Sequence, residues 1–156
     1  MNNGIIRPLV ICPFQKDNRI LVAEGFDESK GDHYYRPIGG GIEFGESSAD
    51  ALKREVEEEI QATISNISYL GTIENIFQFN GKQGHEIVQV CHAEFADSTI
   101  YELESFEGIE DNGTTLKLYW KSLSEFEDGN LRLVPENLLE LLKRNGGIRV
   151  FRGEPK

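Results

Sequence analysis

The stretch from Gly39 to Ala62, GGGIEFGESSADALKREVEEEIQA, places a glycine run directly before a segment that is crowded with carboxylates. The glycines at 39–41 allow the backbone to approach a phosphate chain closely, although glycine alone is a weak signal. Ser47 or Ser48 can cap a helix, and apolar residues follow at helical spacing as far as about Gln61. The stretch therefore predicts a loop suited to phosphate, followed by an amphipathic, acidic helix.

Three glutamates of this predicted helix share one face. Glu55, Glu58 and Glu59 are related as i, i+3 and i+4, so their side chains are neighbours, whereas Glu57 falls on the opposite flank. Considered alone, such a run is best explained as a solvated helix face. Neighbouring like charges, however, destabilise a helix by about 0.2–0.5 kcal/mol per pair, and a bound cation would remove that cost.

Two further features favour a divalent cation over a merely solvated face. Glu58 and Glu59 lie near the C-terminal end of the helix, where the helix dipole disfavours anions. The loop before the helix carries two more carboxylates, Glu43 and Glu46. Hard oxygen ligands of this kind suit Mg²⁺ or Mn²⁺, which take further ligands from substrate phosphates.

The remainder of the chain predicts a mostly β scaffold with one more helix. That helix is expected at Glu136–Arg144, with Pro135 in its first turn and the glycines at 146–147 after its end. Helices at two distant places in a β-rich sequence favour the α/β class, an α/β/α sandwich with a mixed β-sheet. The strands expected from β-branched, aromatic and alternating patterns are Ile5–Phe14, Arg19–Ala23, Ile42–Phe44, Ile64–Phe79, Glu86–Phe95 and Leu116–Trp120.

Several connections carry predictions of their own. Gly71 is expected to mark a β-bulge within its strand. The Asn80-Gly81 pair predicts a hairpin, whose loop we expect to be lengthened by residues 82–84. The acidic, glycine-containing region 96–114 is expected to be a loop.

Composition and charge limit the classes of function. A chain of 156 residues with 38% hydrophobic and 28% charged residues predicts one globular domain over 1–156. The net charge of −11 disfavours binding to nucleic acid, but a divalent metal can still bridge the protein to a phosphorylated small molecule. Cys12 and Cys91 lie in apolar runs and predict buried, reduced thiols. Without a signal peptide pattern or a stretch of membrane-spanning length, we expect a cytoplasmic protein.

The acidic helix and its loop also carry a specific motif. Gly40, Glu46 and the run Arg54–Glu59 stand at the spacing of the Nudix box, G-x5-E-x7-R-E-U-x-E-E-x-G-U, in which U is a bulky aliphatic residue. The sequence therefore resembles the Nudix hydrolases over Gly40–Ala62, and the order of strands with a closing helix extends the resemblance over most of the chain. Gln61 replaces the last glycine of the box. Since that glycine eases the turn out of the helix, we expect Gln61 or a neighbour to be strained.

The resemblance implies roles for the residues of the box. Glu55, Glu58 and Glu59 occupy the metal-ligand positions for Mg²⁺, or alternatively Mn²⁺, and the backbone at Gly40 is expected to assist them. Glu46 and Arg54 are the pair expected to hold the loop against the helix, which is a structural role. The small replacements at the end of the box touch no predicted metal ligand, so we expect activity to be retained.

The resemblance also implies the reaction. Nudix hydrolases use a metal-activated water to attack a phosphorus of a nucleoside diphosphate derivative. Glu55, with Glu58 beside it, and Glu86 at the start of a strand are the candidate catalytic carboxylates, and an ordinary strand position explains Glu86 equally well. Tyr35, Arg36 and the backbone at Gly39 are predicted to contact the substrate. Packing in the core is the alternative for at least one of the two adjacent tyrosines, Tyr34 and Tyr35.

The substrate is less constrained than the reaction. Motifs associated with Nudix hydrolases of NADH, ADP-ribose, dinucleoside polyphosphates and coenzyme A are absent, which leaves nucleoside triphosphates by elimination and nucleotide sugars as an open alternative. A non-catalytic nucleotide sensor is the second hypothesis, and the intact carboxylates argue against it. Processing of messenger-RNA 5′ ends is disfavoured by the acidic surface. Nudix domains often dimerise, so a homodimer is compatible with the resemblance.

Overall fold

The computed structural model describes residues 4–144, which form strands and short helices in an α/β arrangement. The predicted helix end at 145–147 and the tail from 148 lie outside the described residues. The strands are β1 (Arg7–Cys12), β2 (Gln15–Lys16), β3 (Arg19–Asp27), β4 (Asp32–Arg36), β5 (Ile38–Gly41), β6 (Ile64–Phe79), β7 (Lys82–Phe95), β8 (Ser105–Ile109) and β9 (Thr115–Ser122). The helices are α1 (Ser48–Ile60), α2 (Leu123–Glu127) and α3 (Leu138–Arg144), with a 3₁₀ turn at Ser98–Glu102.

The strands are divided between two sheets. One is four-stranded and mixed, in the order β5-β1-β7-β6, because β1 pairs parallel with β7 and the other pairs are antiparallel. The other is five-stranded, in the order β2-β3-β9-β8 with β4 also paired to β3, and its pairs are antiparallel. The predicted α/β class is confirmed, and the mixed sheet is the four-stranded one.

The helices cover the sheets from two sides. Alternate residues of a strand point to opposite faces. Val10 of β1 accordingly packs in a core cluster with Leu52 of α1, whereas Leu9 packs in a second cluster with Phe126 of α2 and Leu138 of α3. The sheets are therefore sandwiched between α1 on one side and α2 with α3 on the other.

Some local predictions differ from the structure. The segment 42–44 is not a strand; the strand lies earlier, at β5, where it pairs with β1. Residues 82–84 belong to β7, so the hairpin loop is the two-residue pair Asn80-Gly81, with φ of 50° and 79°. These values suit the tight turns that match the twist of a hairpin. The region 96–114 contains β8, which is a weak strand signal because it is only five residues long and its apolar residues, Phe106 and Ile109, do not alternate.

Other predictions are confirmed. The pairing of β6 with β7 shifts register between Tyr69 and Gly71, as a bulge requires. Cys12 and Cys91 are buried free thiols. None of the helices within residues 4–144 has the length and apolar character needed to cross a membrane.

Both ends of α1 are capped. Ser47 Oγ accepts a hydrogen bond from Asp50 N at 3.1 Å at the N-terminus. At the C-terminus Gln61 lies in the left-handed region, with φ of 56° and ψ of 41°, and its N–H donates to Glu57 O at 2.9 Å. The strain expected from the missing glycine is therefore found at Gln61 itself.

Arg54 connects the middle of α1 to the loop that precedes it. Its Nε and Nη2 donate to the two carboxylate oxygens of Glu46, at 2.8 and 2.9 Å, and Nη2 also donates to Gly41 O at 2.9 Å. Glu46 Oε1 in turn accepts from Glu43 N at 3.0 Å. This bidentate contact fixes the loop on α1, and it lowers the pKa of Glu46 to about 2.

We expect Gln61→Gly to stabilise the protein, because glycine adopts the left-handed C-cap without steric cost. The gain should be about 0.5–1 kcal/mol, after the extra backbone entropy of glycine is subtracted. Urea unfolding measures it as a higher midpoint at an unchanged slope. Gln61→Ala, which keeps the strain, should give no gain, and a destabilised Gln61→Gly protein would contradict this explanation.

We expect Glu46→Gln to lower stability in a pH-dependent way. The pKa of Glu46 is lowered in the folded protein from its ordinary 4.5 to about 2, so its contribution is full above pH 4.5 and is lost as the pH falls towards 2. Urea unfolding should show a deficit at pH 7 that narrows at pH 3. Glu57→Gln, a change at an exposed glutamate of α1, should show no such trend. A deficit that stays constant with pH would argue against the ion pair as its cause.

Candidate active site

A pocket of about 460 Å³ opens where the two sheets and α1 meet. Its walls come from β1, β3, β4, β5, α1, β6 and β7, together with the segments 110–112 and 132–136. Gly39 and Gly40 of β5 and Glu55 and Glu59 of α1 form part of this wall. The loop and the helix that were singled out in the sequence therefore face one cavity.

The α1 glutamates differ strongly in burial. Glu55 and Glu59 are only 3% and 7% exposed, whereas Glu57 and Glu58 are exposed. Arg54 Nη1 donates to Glu55 Oε2 at 3.0 Å and to Glu58 Oε1 at 3.4 Å. The same guanidinium that holds the loop thus orients two of the carboxylates on which a metal site would depend.

Glycine is required at residues 39 and 40, where β5 passes β1 and the Glu55 carboxylate. A Cβ atom at Gly40 would lie 2.4 Å from Cδ of Glu55, and one at Gly39 would lie 2.0 Å from Val10 O. Only a residue without a side chain allows the backbone this close to a carboxylate. The backbone at Gly40 is therefore adjacent to the Glu55 carboxylate and open to the pocket.

A carboxylate from outside the motif joins the cluster. Oxygen atoms of Glu55, Glu58 and Asp111 all lie within 4.8 Å of one another. Asp111 follows β8, and β8 approaches α1 closely at Gly108, where a Cβ atom would lie 2.4 Å from Glu59 O. Asp111 is absent from the predicted site, because the region 96–114 is expected from the sequence to be a loop. Gly108, within the short strand β8, is the one residue there that signals a close approach.

Glu59 occupies a different position from that cluster. Its Oε1 atom is buried and has no hydrogen-bond partner among the described residues. Burial raises the pKa of Glu59 to about 8, opposed by the nearby Arg36. Burial likewise raises the pKa of Glu55, with the hydrogen bond from Arg54 acting in the opposite direction.

The carboxylates of this site fit a divalent metal ion. A buried carboxylate oxygen without a partner is costly, and so is a group of converging carboxylates. A hard divalent cation removes both costs, and the donors present are oxygens of the type that Mg²⁺ prefers. The residues therefore fit such an ion.

The residues predicted to contact the substrate are separated by the structure. Arg36 and Gly39 line the pocket, but Tyr35 does not: it is 6% exposed and packs in the second core cluster. Its hydroxyl donates to Glu24 Oε2 at 2.9 Å. Since neighbours in a strand point to opposite faces, Tyr34 lines the pocket instead, which corrects the expected placement of Tyr35.

Glu86 lies in the pocket wall contributed by β7. Its side chain is 14% exposed, Asn75 Nδ2 donates to its Oε1 at 3.4 Å, and Arg7 Nη1 lies 3.9 Å from its Oε2. Burial raises the pKa of Glu86, against the effects of Asn75 and Arg7. Glu55 and Glu86 therefore lie on two walls of one cavity, whereas Glu58 is exposed beside Glu55 and does not line it.

The chain is similar to proteins of a known family. A family model described as NUDIX domain matches residues 6–142. Among curated proteins, the chain is 37% identical over 67 residues to an NAD-capped RNA hydrolase, NudC, of Vibrio atlanticus (strain LGP32), a match that covers 43% of this chain and 24% of that protein. The chain thus spans about a quarter of the length of the curated relatives it matches.

Solved structures show the same fold. A MutT NUDIX hydrolase from Burkholderia pseudomallei has a TM-score of 0.57 and 22% identity, over 78% of this chain and 86% of that chain. The E. coli ORF135 protein has a TM-score of 0.54 and 22% identity, over 92% of this chain and 93% of that chain. At these identities the likeness concerns the fold alone.

The matched range 6–142 contains the whole stretch from Gly40 to Ala62 as well as α2 and all but the last two residues of α3. NudC and the Burkholderia protein are hydrolases by name, in agreement with the predicted enzyme class. The resemblance inferred from the spacing of the box is confirmed, and the chain belongs to the NUDIX domain family.

Proposed function

We propose that the protein is a Nudix pyrophosphohydrolase that hydrolyses a diphosphate linkage in a small nucleotide with Mg²⁺, or alternatively Mn²⁺, as cofactor. The observation that supports this most directly is the convergence of Glu55, Glu58 and Asp111 oxygens within 4.8 Å at a substrate-sized pocket. The partnerless buried oxygen of Glu59 lies in the same wall.

The proposed metal ligands come from both parts of the site. Glu55, Glu58 and Glu59, with the backbone at Gly40, would hold the ion, and Asp111 would join them from the turn after β8. When bound, the ion supplies positive charge that neutralises a phosphate and lowers the pKa of a water molecule. Arg54 would orient two of these ligands, because it hydrogen-bonds to Glu55 and Glu58.

Other residues of the pocket would bind the substrate and move the proton. Arg36 offers a guanidinium for a phosphate, and Gly39 leaves the backbone accessible. Glu55 and Glu86 remain the two alternatives for the general base that accepts a proton from the attacking water. Glu86 is held between Asn75 and Arg7, outside the cluster of three carboxylates.

A nucleoside triphosphate is the proposed substrate class, with nucleotide sugars as the open alternative. The NudC relatives act, by name, on NAD-capped RNA, but the chain spans only about a quarter of their length. Its net charge of −11 also disfavours an RNA partner. A single domain, a cytoplasmic location and a homodimer all remain predictions.

The function is tested by a panel of ribo- and deoxyribonucleoside triphosphates, nucleotide sugars, ADP-ribose, NADH and an NAD-capped RNA. The products are separated by ion-exchange chromatography, with Mg²⁺, with Mn²⁺ and with EDTA. Triphosphates should release pyrophosphate or phosphate, whereas the other compounds should each give two monophosphate products. We expect metal-dependent turnover of a small nucleotide and none with EDTA. Binding of one ligand without turnover of any would instead identify a nucleotide sensor, and turnover of the capped RNA alone would overturn the proposed substrate class.

The metal ligands are tested by Glu58→Gln, Glu59→Gln and Asp111→Asn. Each should lower kcat/KM at limiting Mg²⁺ by at least about tenfold. Even residues that only hydrogen-bond to a metal ligand change metal affinity or activity by about 10–100-fold when they are replaced. A Mg²⁺ titration should show that more metal is needed for half-maximal rate. Glu57→Gln, which changes the same charge on the opposite flank of α1, should leave both quantities unchanged; unchanged turnover in Glu58→Gln or Glu59→Gln would remove that residue from the ligand set.

A further inference from the structure

An aromatic surface in the pocket lies outside the carboxylate cluster. Tyr34 comes from β4 of the five-stranded sheet, and Phe77 and Phe79 come from β6 of the four-stranded sheet. The rings of Tyr34 and Phe79 meet edge to face, with centroids 5.8 Å apart. This part of the wall therefore exists only where the two sheets meet.

Two of these rings rest on glycines of the paired strands. Gly25 is the cross-strand partner of Tyr34, and a Cβ atom on it would lie 2.3 Å from Cζ of the tyrosine. Gly84 is the partner of Phe77, and its Cβ atom would lie 2.4 Å from Cζ of that ring. Both rings therefore lie close against the backbone of the paired strand, and aromatic rings in the wall of a pocket can stack on a nucleobase.

Asp27 holds the ends of the two sheets together beside this surface. It is 1% exposed, and its Oδ1 atom accepts hydrogen bonds from Ser29 N at 3.0 Å, Ser29 Oγ at 2.8 Å and Lys30 N at 3.2 Å. The same oxygen accepts from Asn80 N at 3.3 Å. The first three donors belong to the turn after β3, whereas Asn80 belongs to the β6–β7 hairpin of the other sheet.

Further hydrogen bonds cross between the same two turns. Glu28 N donates to Asn80 Oδ1 at 2.9 Å, and Lys30 Nζ donates to Gln78 O at 3.0 Å. Asp27, Lys30 and Gln78 themselves line the pocket. We call this set of contacts the sheet clasp: Asp27, Glu28, Lys30, Gln78 and Asn80.

The sheet clasp does more than stabilise a turn. Asp97 makes a turn of the same kind at the 3₁₀ segment, and its Oδ1 accepts from Thr99 N at 3.0 Å and Thr99 Oγ1 at 2.6 Å, both within the turn. Asp27 adds a bond to the other sheet, two residues after the glycine that supports Tyr34 and beside the hairpin that carries the phenylalanines. Asp27 therefore links the end of the strand that supports Tyr34 to the hairpin that carries the phenylalanines.

We propose that Asp27 is a positioning residue that sets the spacing between Tyr34 and the phenylalanines Phe77 and Phe79, and so selects substrates that carry a planar nucleobase. The inference rests on the proposed function, because it assigns the nucleobase end of the same pocket. The sheet clasp contributes to binding of the base, and the carboxylate cluster contributes to the chemistry of the phosphates.

The test compares Asp27→Ala, Asp27→Asn and Asp97→Ala with the wild type. The substrate is the panel nucleotide with the highest kcat/KM, and inorganic tripolyphosphate, which lacks a base, serves as a competing ligand. Asp27→Ala should raise KM about tenfold, or 1.4 kcal/mol, with kcat within about twofold of the wild type. Asp27→Asn keeps the accepting oxygen and should recover most of the affinity, while the inhibition constant of tripolyphosphate should stay unchanged.

Asp97→Ala is the matched control, because it removes the same kind of turn away from the pocket. It should lower the urea midpoint without changing KM. The inference would be overturned if KM rose equally in Asp97→Ala, or if Asp27→Ala lowered kcat alone. It would also be overturned if tripolyphosphate bound about tenfold more weakly to Asp27→Ala than to the wild type. If Asp27→Ala is active and its KM is unchanged, this inference is overturned and the proposed function is not. If the wild type is inactive on the whole panel, the proposed function and this inference are both overturned.

A second variant covers the case in which Asp27→Ala does not fold. Asn80→Gly keeps the turn, because glycine suits the φ of 50° at this position, but it removes the oxygen that accepts from Glu28 N. We expect KM to rise about threefold, in keeping with the loss of one hydrogen bond between neutral groups, with kcat unchanged. An unaltered KM in this variant would contradict the role of the sheet clasp.

Discussion

The bidentate contact between Arg54 and Glu46 is the interaction on which the site depends. Arg54 lies on the flank of α1 and reaches three kinds of partner at once: a loop carboxylate, the carbonyl of Gly41 and the carboxylates of Glu55 and Glu58. A planar guanidinium with five N–H donors can satisfy such a set, and the single ammonium of lysine cannot. One side chain thereby couples the shape of the glycine loop to the orientation of the acidic helix.

Near that contact, the pocket wall combines buried carboxylates with aromatic rings. The carboxylates of Glu55 and Glu59 are buried, which disfavours their charged forms, while phosphate chemistry needs negative oxygens around a cation. The rings of Tyr34 and Phe77 need space against the paired strands, which Gly25 and Gly84 leave by having no side chains. The pocket is therefore polar at one part of its wall and apolar at another, and each part is built by close backbone approach.

The sequence predicted what depends on short-range spacing. The helix α1, its capping serine and the strained C-cap at Gln61 all follow from residues within one or two helical turns. The sequence did not predict which side chains from different strands meet in the pocket. A shift of one residue exchanges Tyr34 with Tyr35, and Asp111 meets Glu55 only because β8 packs on α1 at Gly108, far along the chain. Such encounters depend on sheet register and packing, which local patterns do not encode.

The parallel pairing of β1 with β7 also has a consequence for how the protein folds. Arg7 pairs with Glu86 and Ile11 with Val90, so the strand at one end of the chain finds its partner only after a long intervening segment has closed. Contacts of such large sequence separation form slowly, because loop closure costs entropy before pairing is gained. Glu86 and Gly40 flank β1 on its two neighbours, and no partly folded form that lacks this strand can assemble the pocket. Activity therefore reports on completion of the fold as a whole, not on formation of the acidic helix.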